Sequence, residues 1–210
     1  MPGWCKLDGV PSSGLRLLVY DKSAGGLSLA WAAGAKLYRV RGLLDSARGA
    51  ASWGEALELL ESTEPERGVA EIQFWGHGKW GDARFGAETL DSGSLLRGHP
   101  HAARLERLAK RFEPDALFWF RSCETLGARA GQAFARAFAD RLGCRVAGHT
   151  YVIAALQSGL HALRPGAEPD WDPSEGLLEG TPERPLRAQM SSARAPRTIT
   201  CFEGNLPSWA

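Results

Sequence analysis

Several features are scarce in this sequence, and each scarcity excludes a class of protein. Four cysteines in 210 residues, Cys5, Cys123, Cys144 and Cys201, are too scattered for a disulfide framework in a chain long enough to fold without one. None sits in a C-x-x-C pair, and His99 and His101 stand apart from all four, so the spacing of a zinc site is missing. No metal and no cofactor is expected. Charge of one sign is also missing: 25 basic residues face 24 acidic ones, a net +1, with no basic stripe to hold nucleic acid or an anionic membrane surface. No apolar run is long enough to span a bilayer, and the segment from Met1 lacks the apolar core of a signal peptide. A single cytoplasmic domain covering 1–210 is the expectation.

What the sequence does contain is a series of short apolar runs separated by amphipathic stretches. Residues 1–14 read as an irregular lead-in rich in Pro, Gly and Ser. Leu15 to Tyr20 reads as a buried strand ending at Asp21. Lys36 to Arg41 alternates polar and apolar, which predicts a strand near a sheet edge. Ser52, with Glu55 three residues on, has the capping-box pattern that starts a helix to Leu60. Val69 to Trp75 is a second buried strand, and Gly81 to Gly86 reads as a short hairpin or turn. A helix with Leu105, Leu108 and Phe112 in register is stopped by Pro114. Asp115 to Phe120 is a third strand, Gly131 to Leu142 a helix closed by Gly143, and Cys144 to Gly148 a fourth strand. A hairpin turning at Ser158-Gly159 is expected to carry His161. The Pro-rich stretch 164–197 predicts a long mobile loop, and Thr198 to Phe202 a last strand returning to the sheet. Alternation of strand and helix predicts an α/β fold with a mainly parallel sheet covered on both faces, and ligands at the carboxyl ends of its strands.

Two of those ends carry reactive side chains: Ile72 to Trp75 runs into Gly76-His77-Gly78, and Leu117 to Phe120 into Arg121-Ser122-Cys123. An ordinary thiol is only a few per cent ionised at neutral pH, so Cys123 needs a base or a positive neighbour, and His77 can be either. Glycines on both sides of His77 permit a sharp turn, and the amides of Gly78 and Cys123 together could form an oxyanion hole. Cys144 and Cys201 read as core. Trp75 and Trp119 read as packing between sheet and helices, and Trp80 as the tryptophan best placed to touch substrate.

His77 lies 46 residues before Cys123, close to the roughly 50 of caspases, and the pattern resembles the caspase-like clan of cysteine peptidases, most of all its bacterial CHAT-type branches. The resemblance covers Leu15 to Gly148 and rests on the two strand ends. It implies a caspase-like three-layer α/β/α sandwich and a cysteine endopeptidase acting on a protein or peptide, with His77 as general acid–base, Cys123 as nucleophile and an activating protein partner in prospect. The caspase pentapeptide is absent, Arg121-Ser122-Cys123-Glu124-Thr125 standing in its place. In the clan, the position two before the cysteine and the end of the first strand help shape the specificity pocket. Here these are Arg121, which would favour an acidic residue, and Asp21, which with Glu124 would favour a basic one; an Asp21–Arg121 pair would cancel both. A binding module that keeps the fold without catalysis, and a thiol hydrolase or acyltransferase on a non-peptide substrate, are the competing readings.

Overall fold

The computed structural model describes residues 14–210; the lead-in and Cys5 lie outside the described residues, Gly14 excepted. Six strands form the central sheet: β1 (Leu15–Asp21), β2 (Ser46–Ala50), β3 (Val69–Trp75), β7 (Phe112–Arg121), β8 (Arg145–His149) and β10 (Leu160–Leu163). Their order is β10-β8-β7-β3-β1-β2, parallel throughout except for β10, which runs antiparallel to β8. The α/β class and the mainly parallel sheet expected from the sequence are both present.

The helices α1 (Gly26–Val40), α2 (Trp53–Ser62), α3 (Ala102–Ala109) and α4 (Ala128–Leu142) are not shared equally between the faces. The reason is topological. The chain steps outward from β1 to β2, then returns past β1 to β3 and continues through β7 to β8. Right-handed crossovers therefore place α1 on one face and α2, α3 and α4 on the other. The larger core lies under the three helices. There Leu15, Leu17, Val19, Ile72, Phe74, Phe118 and Phe120 meet Trp53, Leu105, Leu108, Phe134 and Phe138. On the opposite face α1 covers Leu18 and Trp75 through Ala35 and Tyr38. Beyond α1, Leu117, Trp119 and Ala147 lie under Ile199, Leu206 and Ala210, so the C-terminal segment, and not a second helix, completes that layer.

Side chains hold this segment by its main-chain carbonyls. The single Tyr38 hydroxyl proton is shared between Cys201 O at 2.7 Å and Glu203 O at 2.9 Å, Arg121 donates to Glu203 O at 2.9 Å, and Arg16 donates to Gly204 O at 2.8 Å.

Several expectations are corrected. Lys36 to Arg41 is the end of α1: Ala35 and Tyr38 are buried while Lys36 and Leu37 face out, a helical and not an alternating pattern. The edge strand beside α1 is β2, whose Ser-Ala-Arg-Gly-Ala sequence carries no strand signal. Pro114 lies within β7, not at a helix end. The stretch 164–197 is not one long loop, because it contains an antiparallel hairpin of β11 (Leu177–Thr181) and β12 (Arg184–Ala188). The strand near the C-terminus, β13 (Ile199–Thr200), pairs with β9 (Leu156–Gln157) and not with the central sheet, and β9 and β10 flank Ser158-Gly159 without pairing to each other. The capping box on α2 is as expected in part: Ser52 Oγ accepts from Glu55 N at 3.1 Å, but Glu55 turns to Ala51 N and Lys22.

Candidate active site

The reversal of chain direction falls between β1 and β3, the place in an open parallel sheet where a crevice forms at the carboxyl ends of the strands. After β3, the short antiparallel sheet β4 (His77–Lys79), β5 (Asp82–Phe85) and β6 (Glu88–Leu90) is built over this rim. Asp21, at the end of β1, ties it down. One carboxylate oxygen accepts from Ser23 N and Ser23 Oγ at 2.8 and 2.5 Å, the other from Gly86 N at 3.2 Å. Asp21 is 1% exposed. Its expected role in selecting a basic side chain is therefore replaced by a positioning role: it anchors the turn between β5 and β6.

β3 and β7 are in register to their ends, with Trp75 opposite Arg121, so His77 and Cys123 follow two residues beyond the same rung. The turn after β3 and the loop after β7 are packed together at Gly78. A side chain there would overlap Thr125 Oγ1, and its Cβ would fall 2.8 Å from Cys123 O and 2.9 Å from Ser122 Oγ. Glycine is required for that approach. Ser122 and Thr125 hydroxyls bond each other at 2.7 Å, and Thr125 Oγ1 donates to Asp82 O at 3.1 Å, fastening the cysteine loop to β5. Glu124 and Ala128 hold left-handed φ values of 57°, a conformation that costs a non-glycine residue about 1–2 kcal/mol and persists only where the surroundings impose it.

His77 is exposed, and its ring stands edge-on to Trp31 of α1, centroids 5.6 Å apart. Trp31 is a neighbour that sequence reasoning missed, because the helix carrying it was not recognised. The Cys123 thiol is half-buried and faces the main chain of Ile153, whose amide donates to Sγ at 3.4 Å and whose carbonyl lies 3.8 Å away. Burial pushes this thiol above its ordinary pKa, outweighing the Ile153 amide, and Glu124 pushes the same way. No hydrogen bond joins His77 to Cys123 among the described residues.

The other expected site residues are dispersed. Arg121 is 4% exposed and points away from the rim, under the C-terminal segment. It does not pair with Asp21, and no carboxylate lies in ion-pair range of it among the described residues. Its donors reach Gln157 Oε1 at 2.8 Å, Tyr38 Oη at 2.7 Å and the Glu203 carbonyl, and its guanidinium sits 4.5 Å from the centre of Trp119. Burial lowers its pKa, against the pull of Tyr38. Glu124 is half-buried and raised by burial, against Lys79, with one oxygen unpartnered among the described residues. Trp80 packs beside Gly127 at the start of α4, and the ammonium of Lys79 lies 4.8 Å over its ring. Among the described residues no cluster of three or more His, Cys, Asp or Glu could hold a metal ion, and no helix is long and apolar enough to cross a membrane.

His149, at the end of β8, is fully buried. Its Nδ1 bonds Ser158 O at 3.1 Å, Nε2 has no partner among the described residues, and burial with Arg121 nearby lowers its pKa from 6.5 to about 3. The folded state thus binds fewer protons than the unfolded state between these values. Stability falls as the pH drops below about 6.5, with His149 contributing up to about 1.4 kcal/mol per pH unit. Urea unfolding between pH 7 and pH 4 checks this: His149→Gln is expected to flatten the decline.

The chain matches no family model and no curated protein.

Proposed function

We propose that this protein is a cysteine endopeptidase of the caspase-like clan, with Cys123 as nucleophile and His77 as general acid–base. The observation that carries the reading is the packing of Gly78 against the Ser122–Thr125 loop at the ends of two register-matched parallel strands. In the proposed reaction Sγ attacks the peptide carbonyl carbon and its proton passes to the His77 imidazole. The amides of Gly78 and Cys123 receive the developing oxyanion. The imidazolium then protonates the leaving amine, and water, deprotonated by His77, releases the acyl group from sulfur.

A second reading, a module that keeps the fold without turnover, is favoured by the absence of a His77–Cys123 bond at rest. Alkylation by iodoacetamide, followed residue by residue with mass spectrometry, separates the two. Under the peptidase reading Cys123 is labelled at pH 7 ahead of Cys201, which is equally accessible, as well as ahead of buried Cys144, and His77→Ala slows Cys123 by at least about tenfold. Labelling of Cys123 no faster than Cys201, and indifferent to His77, would sink the dyad.

A further inference from the structure

The sheet order leaves β2 at an edge, and no strand pairs with its outer side among the described residues. Beside that edge runs a groove of about 440 Å³ between β2 and α1, lined by Tyr20, Lys36, Arg39, Val40, Leu44 and Ala47. The outward face of α1 continues it with large apolar side chains in the open: Leu29 is 74% exposed, Val40 78% and Leu37 41%. These recur at helical spacing on a helix that contains no acidic residue at all.

The charge around the groove is one-sided. From Gly26 to Ala50 the chain carries Lys36, Arg39, Arg41 and Arg48 against one acid, Asp45, although the chain as a whole is balanced. Asp45 accepts the main-chain amide of Arg16, and Arg41 donates to the Phe202 carbonyl at 3.3 Å. Lys36, Arg39 and Arg48 form no ion pair among the described residues. A charge on an edge strand is a usual guard against unwanted pairing. Such a guard does not account for the exposed Leu29, Leu37 and Val40 alongside it, which together with the cations form a mixed apolar and cationic surface.

We propose that the free edge of β2 and the adjoining α1 groove dock an acidic, extended segment of another protein. The segment would add as a strand beside β2, its main chain bonding to the unpaired edge. Side chains alternate along such a strand. Ala47 packs towards α1, so Arg48 faces the opposite side of the sheet. On the α1 side the partner's apolar residues enter the groove, with Lys36 and Arg39 at its margin, while Arg48 meets acids on the other side. A second copy of this chain is the wrong occupant. Two β2 edges paired about a two-fold axis would bring Arg48 against Arg48 and the Lys36 and Arg39 margins together, and like charges across a strand pair are destabilising.

The probe is a fluorescein-labelled peptide alternating valine or leucine with glutamate, titrated into the full chain and followed by anisotropy. Its counterpart with lysine in place of glutamate serves as control. The acidic peptide is expected to bind saturably, at least about tenfold more tightly than the basic one, to weaken with added salt, and to slow hydrogen exchange at the β2 amides. The double variant Lys36→Glu, Arg39→Glu alters two exposed side chains that hold no ion pair, and thermal melting checks its fold. It should lose at least about tenfold in affinity, whereas Cys123→Ala should bind as the wild type does, which separates this proposal from the catalytic one. Absence of saturable binding, equal binding of the two peptides, or undiminished binding by the double variant would overturn it. So would sedimentation showing that the wild type self-associates and the double variant does not, since the occupant would then be a second copy.

Discussion

Replacing Gly78 by alanine is expected to abolish any activity that depends on Cys123 and to destabilise the fold at the same time. The added methyl group has nowhere to go. It overlaps Thr125 Oγ1, which already bonds Ser122 Oγ and Asp82 O, and it presses on the Cys123 carbonyl from 2.8 Å. Relief requires the His77 turn and the cysteine loop to separate, at a cost of about 1–3 kcal/mol, as for other overpacked sites. Separation also moves one amide of the proposed oxyanion hole, whose loss alone is worth about 100-fold or more in rate. Urea unfolding gives the first effect. The rate of Cys123 alkylation at pH 7, which should fall towards that of Cys144, gives the second. If Gly78→Ala melts and labels as the wild type does, the two strand ends are not in the contact described.

Arg121→Met is expected to have a large effect on stability away from the dyad, about 1–3 kcal/mol, the usual cost of leaving buried acceptors without their donor. Methionine approximates the length of the arginine stem. What disappears is the donor set: Gln157 Oε1 loses two bonds, and Tyr38 Oη and the Glu203 carbonyl lose one each. Because Glu203 belongs to the segment that covers Trp119, the loss should extend beyond the site of substitution. Hydrogen exchange is the informative measurement, with residues 199–210 expected to lose protection before the central strands do. Uniform loss across the sheet would mean that the segment does not depend on this arginine. Tyr38→Phe, which removes the hydroxyl donor to Cys201 and Glu203, should reproduce the local effect at smaller magnitude.

The parts of this structure that were readable from sequence are those in which burial dictates residue type. β1, β3, β7 and β8 are apolar because both faces of a central parallel strand are covered, and α2 and α4 announce themselves through Ser52 and Gly143. His77 and Cys123 stood out because each interrupts such a run at its end. Other elements are set by tertiary contacts with no local signature. α1 looked like an alternating strand because its outward face is as apolar as its inward one, Leu37 and Val40 being exposed beside buried Tyr38. β2 is small and polar because it is an edge. Arg121 could be marked from its place before Cys123, and strand alternation puts it on the opposite face from Phe120, but nothing nearby in sequence showed that it bonds a carbonyl 82 residues away. Asp21 carries the same lesson: its position at a strand end was correct, and its partner, the Gly86 amide, belongs to a turn that only the folded chain brings near.

The cover over Trp119 also imposes an order in time. Chains are made from the N-terminus, and domains begin to fold as they emerge. The three helices that cover one face of the sheet all precede β8, so that face can close while synthesis continues. The other face cannot. Leu117, Trp119 and the guanidinium of Arg121 wait for residues 199–210, the most distant in sequence from α1, the helix that shares their layer. A nascent chain therefore displays a half-dressed sheet, tryptophan outward, for the whole interval in which the hairpin of β11 and β12 is being made, and this is the stage at which a chaperone would find most to hold.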